Sequence, residues 1–223
     1  MSTSAVSTSQ IDVGEAFGYV FRSRNWFGKL AAGALCLLFF WVLFIPLFLL
    51  LGYYVEAARG ISRGGRELPP WTDLGKKLGD GFLLGIALFV WGLPGTILSW
   101  FSYSTTCVGS SCTSGPTPLA PLGILYSLLQ GFLTVAIWSQ FLDDGFVGAF
   151  NFRAIFGRVG QYPGLTVIVW LLNILATIIA LAGVFLAGIG LLFTFPYAFA
   201  ITASLYGQFR QRTQRAASLA PAT

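Results

Sequence analysis

An all-α, polytopic bundle of transmembrane helices is the architecture predicted by three observations. Residues 30–55, 81–142 and 159–209 contain no Asp, Glu, Lys, Arg or His, and a water-soluble domain cannot leave that much surface uncharged. The composition is 56% hydrophobic and 9% charged, against roughly 25% charged residues in soluble domains, and the mean hydropathy is +0.76. The charge-free runs are also long enough to hold about 4–6 membrane helices of roughly 20 residues each. A chain of 223 residues then has no room for a second, soluble domain.

Residues 1–10 are Ser/Thr-rich and read as a disordered tail, without the basic, apolar and small-residue succession of a secretory signal, so the first hydrophobic segment would direct insertion. Residues 11–209 form the single membrane domain. It opens on an amphipathic stretch, residues 11–27. There Ile11, Val13, Ala16, Phe17, Val20 and Phe21 are interleaved with Asp12, Glu15, Arg22 and Arg24, which suits a helix on the membrane surface, anchored by Trp26.

Residues 30–55 are the first embedded segment, interrupted by Pro46. Residues 56–80 are the one long polar loop, with five basic residues against Glu56, Glu67, Asp73 and Asp80. Gly64 with Gly65 and Pro69 with Pro70 mark turns, and Thr72 or Asp73 is positioned to cap a short helix. Residues 81–101 span next, kinked near Pro94, and an uncharged Ser/Thr/Gly/Pro loop covers 102–118. Residues 119–142 return. Residues 143–161 are a second interfacial stretch in which Phe146, Phe150, Ile155, Phe156 and Val159 alternate with Arg153 and Arg158. Two spans close the domain, 165–181 and 185–205, joined by a tight turn at Ala182 and Gly183, and residues 210–223 form the C-terminal tail.

Loops rich in Lys and Arg stay cytoplasmic. The 102–118 loop has none and is expected outside. The 56–80 loop, the 143–161 stretch and both termini are then expected on the cytoplasmic side of the plasma membrane. Arg22, Arg24 and Lys29 conflict with this if residues 30–55 cross once. The preferred resolution is a re-entrant or tight hairpin bending near residues 44–46, each half about 12 residues or roughly 18 Å, too short for a 30 Å core. One tilted span with the N-terminus outside is the alternative. Cys107 and Cys112 lie in the uncharged outer loop, where they form either a small disulfide ring or two free thiols. Cys36 reads as a packing residue.

Ala16, Phe17, Gly18 and Tyr19 ahead of Phe21 and Arg22 are similar to Ala149, Phe150, Asn151 and Phe152 ahead of Phe156 and Arg158. Each set precedes a membrane hairpin, which a duplication or shared interfacial chemistry would explain. Several strings extend along the chain: Asn25 and Trp26, Gly52 and Tyr53, Arg59, Gly64 and Gly65, the run Glu67, Leu68, Pro69, Pro70, Trp71, Thr72, Asp73, Leu74 and Gly75, then Asp80, Gly81 and Pro94. Together they resemble a prokaryotic membrane family catalogued as domain of unknown function 4013. Ala149 with Phe150, and Tyr206 to Arg210, are similar to its later blocks, while Pro70 stands where an acidic residue is expected. The resemblance implies fold and location, with no activity attached.

The residues of that loop also read structurally. Leu68, Pro69, Trp71, Asp73 and Gly75 form a rigid turn leading into the next helix, and Gly81 with Gly85 offers a small face for close helix contact.

Chemistry is sparse. The chain has no histidine, the commonest metal ligand and general base, no CxxC pair and no Gly-rich phosphate loop, so no cofactor or metal site is expected. Gln130 and Asn173 are the first candidates for intramembrane polar contacts, either lining a pathway or hydrogen-bonding between helices. Asp143 and Asp144 read as a solvated helix cap, with acid/base work as the other reading. The expected partners are anionic lipid headgroups at the cytoplasmic face and other membrane-protein subunits or a second copy. Nucleic acid is not expected. The functional expectation is a non-enzymatic accessory or scaffold subunit of a larger membrane complex. A small-molecule or lipid transporter or channel is the alternative, and an enzyme acting on lipid through Asp73, Asp80, Asp143 or Asp144 is the third reading.

Overall fold

The computed structural model describes residues 11–39, 42–108, 111–185 and 190–219; the N-terminal tail expected at 1–10 lies outside the described residues. In chain order the elements are α1 (Val13–Gly18), α2 (Trp26–Leu38), α3 (Ile45–Ser62), α4 (Leu74–Trp100), β1 (Tyr103–Val108), β2 (Ser111–Pro116), α5 (Ala120–Gly148), α6 (Phe152–Gln161), α7 (Pro163–Ala182) and α8 (Leu191–Leu219). The all-α membrane bundle is thus the observed class. Three helices among the described residues are long and apolar enough to cross a membrane: α4, α5, and α7 with its 3-10 extension to Phe185.

The 30–55 segment is two helices. α2 ends at Leu38 and α3 begins at Ile45, with Pro46 in its first turn. Leu43 and Phe44 between them adopt left-handed backbone, φ 53° and 57°, a conformation bulky residues rarely take and one that breaks a helix. The flanks of this hairpin meet: Lys29, at the start of α2, donates its ammonium to the Leu68 carbonyl beyond α3. The hairpin therefore returns to the end it started from, and one straight span through 30–55 does not occur.

Several boundaries differ from the sequence expectation, each for a local reason. The surface helix expected over 11–27 is a single six-residue helix, α1, followed by a 3-10 turn at Val20–Arg22. The polar loop shrinks to residues 63–73, because α3 carries Glu56 and Arg59 on its last turns and α4 already starts at Leu74. The short helix expected after Asp73 is the beginning of α4. Asp73 does occupy its N-cap, but with left-handed backbone and no side-chain capping bond. Asp143 and Asp144 belong to α5, which is broken at Gly145 (φ 66°, ψ −146°) before it ends at Gly148. The tail from 210 is helical to Leu219. At the turn after α7, a Cβ on Gly183 would collide with Thr194 and the Gly190–Leu191 backbone, which explains the glycine there.

The 102–118 loop forms a β-hairpin. β1 and β2 pair antiparallel, Tyr103 opposite Pro116 through Val108 opposite Ser111. Threonines at 105, 106 and 113 supply the β-branched side chains that favour strands, and Cys107 faces Cys112 in register and is disulfide-bonded to it. The hairpin makes few contacts with the helices. Reducing this bond, or making Cys107→Ser with Cys112→Ser, is therefore expected to leave the melting temperature of the detergent-solubilised bundle unchanged, while two newly alkylated thiols appear by mass spectrometry. A ring this short removes little chain entropy from the unfolded state; a fall of many degrees would contradict the separation of hairpin and bundle.

Burial is uneven along the bundle axis. On α7, Val167, Leu171, Ile174, Ile178 and Leu181 are exposed at three- and four-residue intervals, while Thr166, Val169, Ala176 and Ala180 are buried, an apolar outer stripe suited to lipid. Toward the ends of α5 and α8 the pattern changes. Val135 to Leu142, and Ala203 to Phe209, are buried all round. In lipid, helices associate through packing and hydrogen bonds more than through burial of apolar surface, and the dense end is also where the polar groups gather.

Candidate functional site

All 13 basic and 8 acidic residues lie in segments that converge on this dense end. Its centrepiece is the 63–73 connection. The carbonyls of Glu67, Leu68, Pro69 and Thr72 accept hydrogen bonds from Tyr19, Lys29, Tyr53 and Lys77 respectively. The four donors come from the turn after α1, from α2, from α3 and from α4. Two adjacent prolines leave this stretch short of amide donors for any secondary structure of its own, so its carbonyls are satisfied from outside instead. Burial, then the nearby Glu67 charge, pushes the Tyr19 phenol well above its ordinary pKa, which keeps it a donor.

Trp71 closes the clasp. Its indole stacks on Tyr53 at 4.2 Å and 9° and donates to the Lys29 carbonyl at 3.2 Å. Leu68 is buried beneath it. Among the loop residues picked out by sequence, Leu68, Pro69 and Trp71 hold the fold together, whereas Asp73 and Gly75 are exposed and only open α4. Trp71→Ala is expected to cost about 3 kcal/mol or more and to expose residues 63–73 to limited proteolysis in micelles. Trp71→Phe should recover much of the loss by keeping the ring face. Unchanged protease resistance in Trp71→Ala would refute the clasp.

The second polar assembly joins four helices. Asp143 of α5 accepts from Arg158 of α6 at 2.7 Å and from Arg210 and Gln214 of α8 at 2.6 and 2.7 Å. Arg210 also donates to Ser62 of α3 at 2.7 Å, and Arg158 to Ser139 of α5. The Asp143 side chain is 14% exposed and those of Arg158 and Arg210 17% and 16%. The solvated-cap reading of Asp143 is therefore replaced by a partly buried, doubly paired carboxylate; of the two aspartates only Asp144 is exposed. Alongside run Arg59 to Asp80 and Lys77 to Glu56, the latter pair with a lysine side chain only 1% exposed. Gln208 completes the end by pairing with both backbone groups of Asp12, at 2.9 and 3.1 Å.

Gln130 and Asn173 are not brought together. Asn173 accepts from Thr202 at 2.7 Å, a bond between α7 and α8, while the Gln130 side chain lies against Gly92 and Gly95 of α4. They sit in two different helix interfaces and line no common route. Sequence reasoning missed Tyr19, Lys29, Lys77, Arg158 and Arg210, whose partners are up to 148 residues away; only the sequence proximity of Arg158 to Asp143 offered a signal. Among the described residues no group of three His, Cys, Asp or Glu converges as a metal site would require.

Long lipid-facing helices, a re-entering hairpin, a bridged β-hairpin at one end and a clasped polar assembly at the other define a multi-pass α-helical membrane protein. The chain belongs to the family described as Protein of unknown function (DUF4013), which matches residues 35–195. That match takes in α3 to α7 and the clasp loop; Asn25, Trp26 and the Tyr206 to Arg210 block, which also resemble the family, fall outside it. No curated protein and no solved structure matches the chain.

Proposed function

We propose that this is a non-enzymatic scaffold or accessory subunit of a larger complex in the plasma membrane, with both termini cytoplasmic. The observation that carries this reading is the use made of the charges at the dense end. Asp143, Arg158, Arg210, Arg59, Asp80, Lys77 and Glu56 are all engaged in tying helices to one another, and a group committed to such pairs is poorly placed to exchange protons with a substrate. Meanwhile α4, α5 and α7 turn large side chains outward, among them Phe89, Trp100, Ile124 and Ile178, faces that a neighbouring helix can cover. A transporter is less well supported, because Gln130 and Asn173 share no path.

Purification from native membranes in mild detergent is expected to return the chain with a second membrane protein, or with itself, at defined stoichiometry. Recovery only as a monomer without companions would count against the proposal. Sidedness is tested separately: in a Cys36→Ala background, thiol labels should reach Ala5→Cys and Gly64→Cys only from the cytoplasmic face.

A further inference from the structure

Between the end of α5 and α6 lies an open cavity of about 480 Å³, lined by Gln140, Asn151, Arg153, Gly157, Arg158 and Gln161 and by no carboxylate. Its charge is positive. Arg153 is exposed and has no ion pair or side-chain hydrogen bond among the described residues. Arg158 reaches it from the Asp143 assembly, in which one carboxylate serves two guanidinium groups. Gln140 is only 5% exposed as a whole residue, and its side-chain amide makes no hydrogen bond within the described structure; the amide is open to the cavity, where it is available to a polar occupant.

The neighbouring surface says where that occupant comes from. Phe152 and Phe156, one helical turn apart on α6, are 55% and 52% exposed, and Val147 just before them is 77% exposed. Ile155 on the same helix is fully buried against the bundle. Arg153, Gly157 and Gln161 recur at four-residue intervals on a separate stripe. A helix with an aromatic stripe on one side and an arginine stripe on another lies in the plane of the membrane interface, the aromatics in the acyl region and the arginine at phosphate level. Guanidinium forks bind phosphate oxygens in bidentate fashion.

We propose that this cavity is a binding site for the phosphate-bearing headgroup of an anionic phospholipid, with Arg153 as its principal ligand and Gln140 and Gln161 as further hydrogen-bonding groups. The site rests on the membrane reading above, in which residues 143–161 are cytoplasmic. Native mass spectrometry of the purified full chain in detergent, with phosphatidylglycerol or phosphatidylcholine added, tests it without reference to sidedness, which the thiol labelling tests alone.

The expected result is selective retention of phosphatidylglycerol, reduced about fivefold in Arg153→Gln, the effect of one basic group at a lipid surface. Gly157→Leu should lower it as well, since a side chain there meets nothing within 4 Å of its Cβ and fills the cavity without disturbing the fold. Arg24→Gln, which removes an exposed charge elsewhere on the same end, should bind as the parent does. Equal retention of the two lipids, undiminished binding in both site variants, or an equal loss in Arg24→Gln would each overturn the proposal. So would displacement of the lipid by excess inorganic phosphate, which would make the cavity a free-anion site instead.

Discussion

Gly81→Ala should fail to yield a stable bundle. α3 and α4 cross with their backbones in contact: a Cβ on Gly81 would collide with the Phe48 carbonyl and the Gly52 amide, and one on Gly52 with the Lys77 carbonyl. Both obstructions are main chain, which cannot rotate aside. Overpacking costs typically reach about 3 kcal/mol, and this case belongs at or above that limit because two helices would have to separate. Gly85→Ala should be milder, since its Cβ meets the Phe48 ring at 2.7 Å and a ring can shift. Gly79, two residues from Gly81 on the same helix, has nothing within 4 Å of its Cβ position, so Gly79→Ala should be neutral or stabilising by roughly 0.5–1 kcal/mol. Thermal denaturation in detergent followed by size-exclusion chromatography reads all three variants. Similar behaviour of Gly79→Ala and Gly81→Ala would refute the close crossing.

The next largest effect is expected from Asp143→Asn. The substitution preserves shape but leaves Arg158 and Arg210 mostly buried without their shared counter-charge, and breaking a buried pair from one side costs about 3–5 kcal/mol. Asp144→Asn, on the exposed neighbour, should change stability by no more than about 0.5 kcal/mol. Combining Asp143→Asn with Arg210→Met should recover part of the loss, because one of the stranded charges is removed with it. A melting temperature for Asp143→Asn within error of Asp144→Asn would show that the carboxylate does not join the helices.

How much of this was legible in the sequence depends on the range of the interaction that decides each feature. The membrane class, the hairpin over 30–55 and the contact through Gly81 and Gly85 follow from charge-free runs, flanking arginines and small-residue spacing, all local signals. Helix ends were misjudged wherever charged residues continue a helix out of the apolar run, as Glu56 and Arg59 do on α3 and Lys76 and Lys77 on α4: polarity marks where lipid stops, not where backbone hydrogen bonding stops. The β-hairpin was missed because its turn-rich composition hid the short threonine strands. Asp143 was read as solvated because Arg210 stands 67 residues away, and nothing local announces such a partner. The loop was weighted as structural from its own residues, while the side chains that bond to it, Tyr19, Lys29, Tyr53 and Lys77, belong to four other segments.

The pairing of Gln208 with Asp12 spans 196 residues, nearly the length of the chain, and it sets an order on biosynthesis. While a ribosome is still making α7, the segment around α1 has no partner for its Asp12 backbone, and its Tyr197 contact at the Phe17 carbonyl is also unmade. The contacts of the first helix with α8 must wait for that last helix to leave the exit tunnel and insert. A nascent chain stopped short of residue 197 would hold its N-terminal segment only through the 63–73 loop, by Tyr19 at the Glu67 carbonyl and Glu15 beside Arg66, and would gain its second anchorage only when the chain is nearly finished.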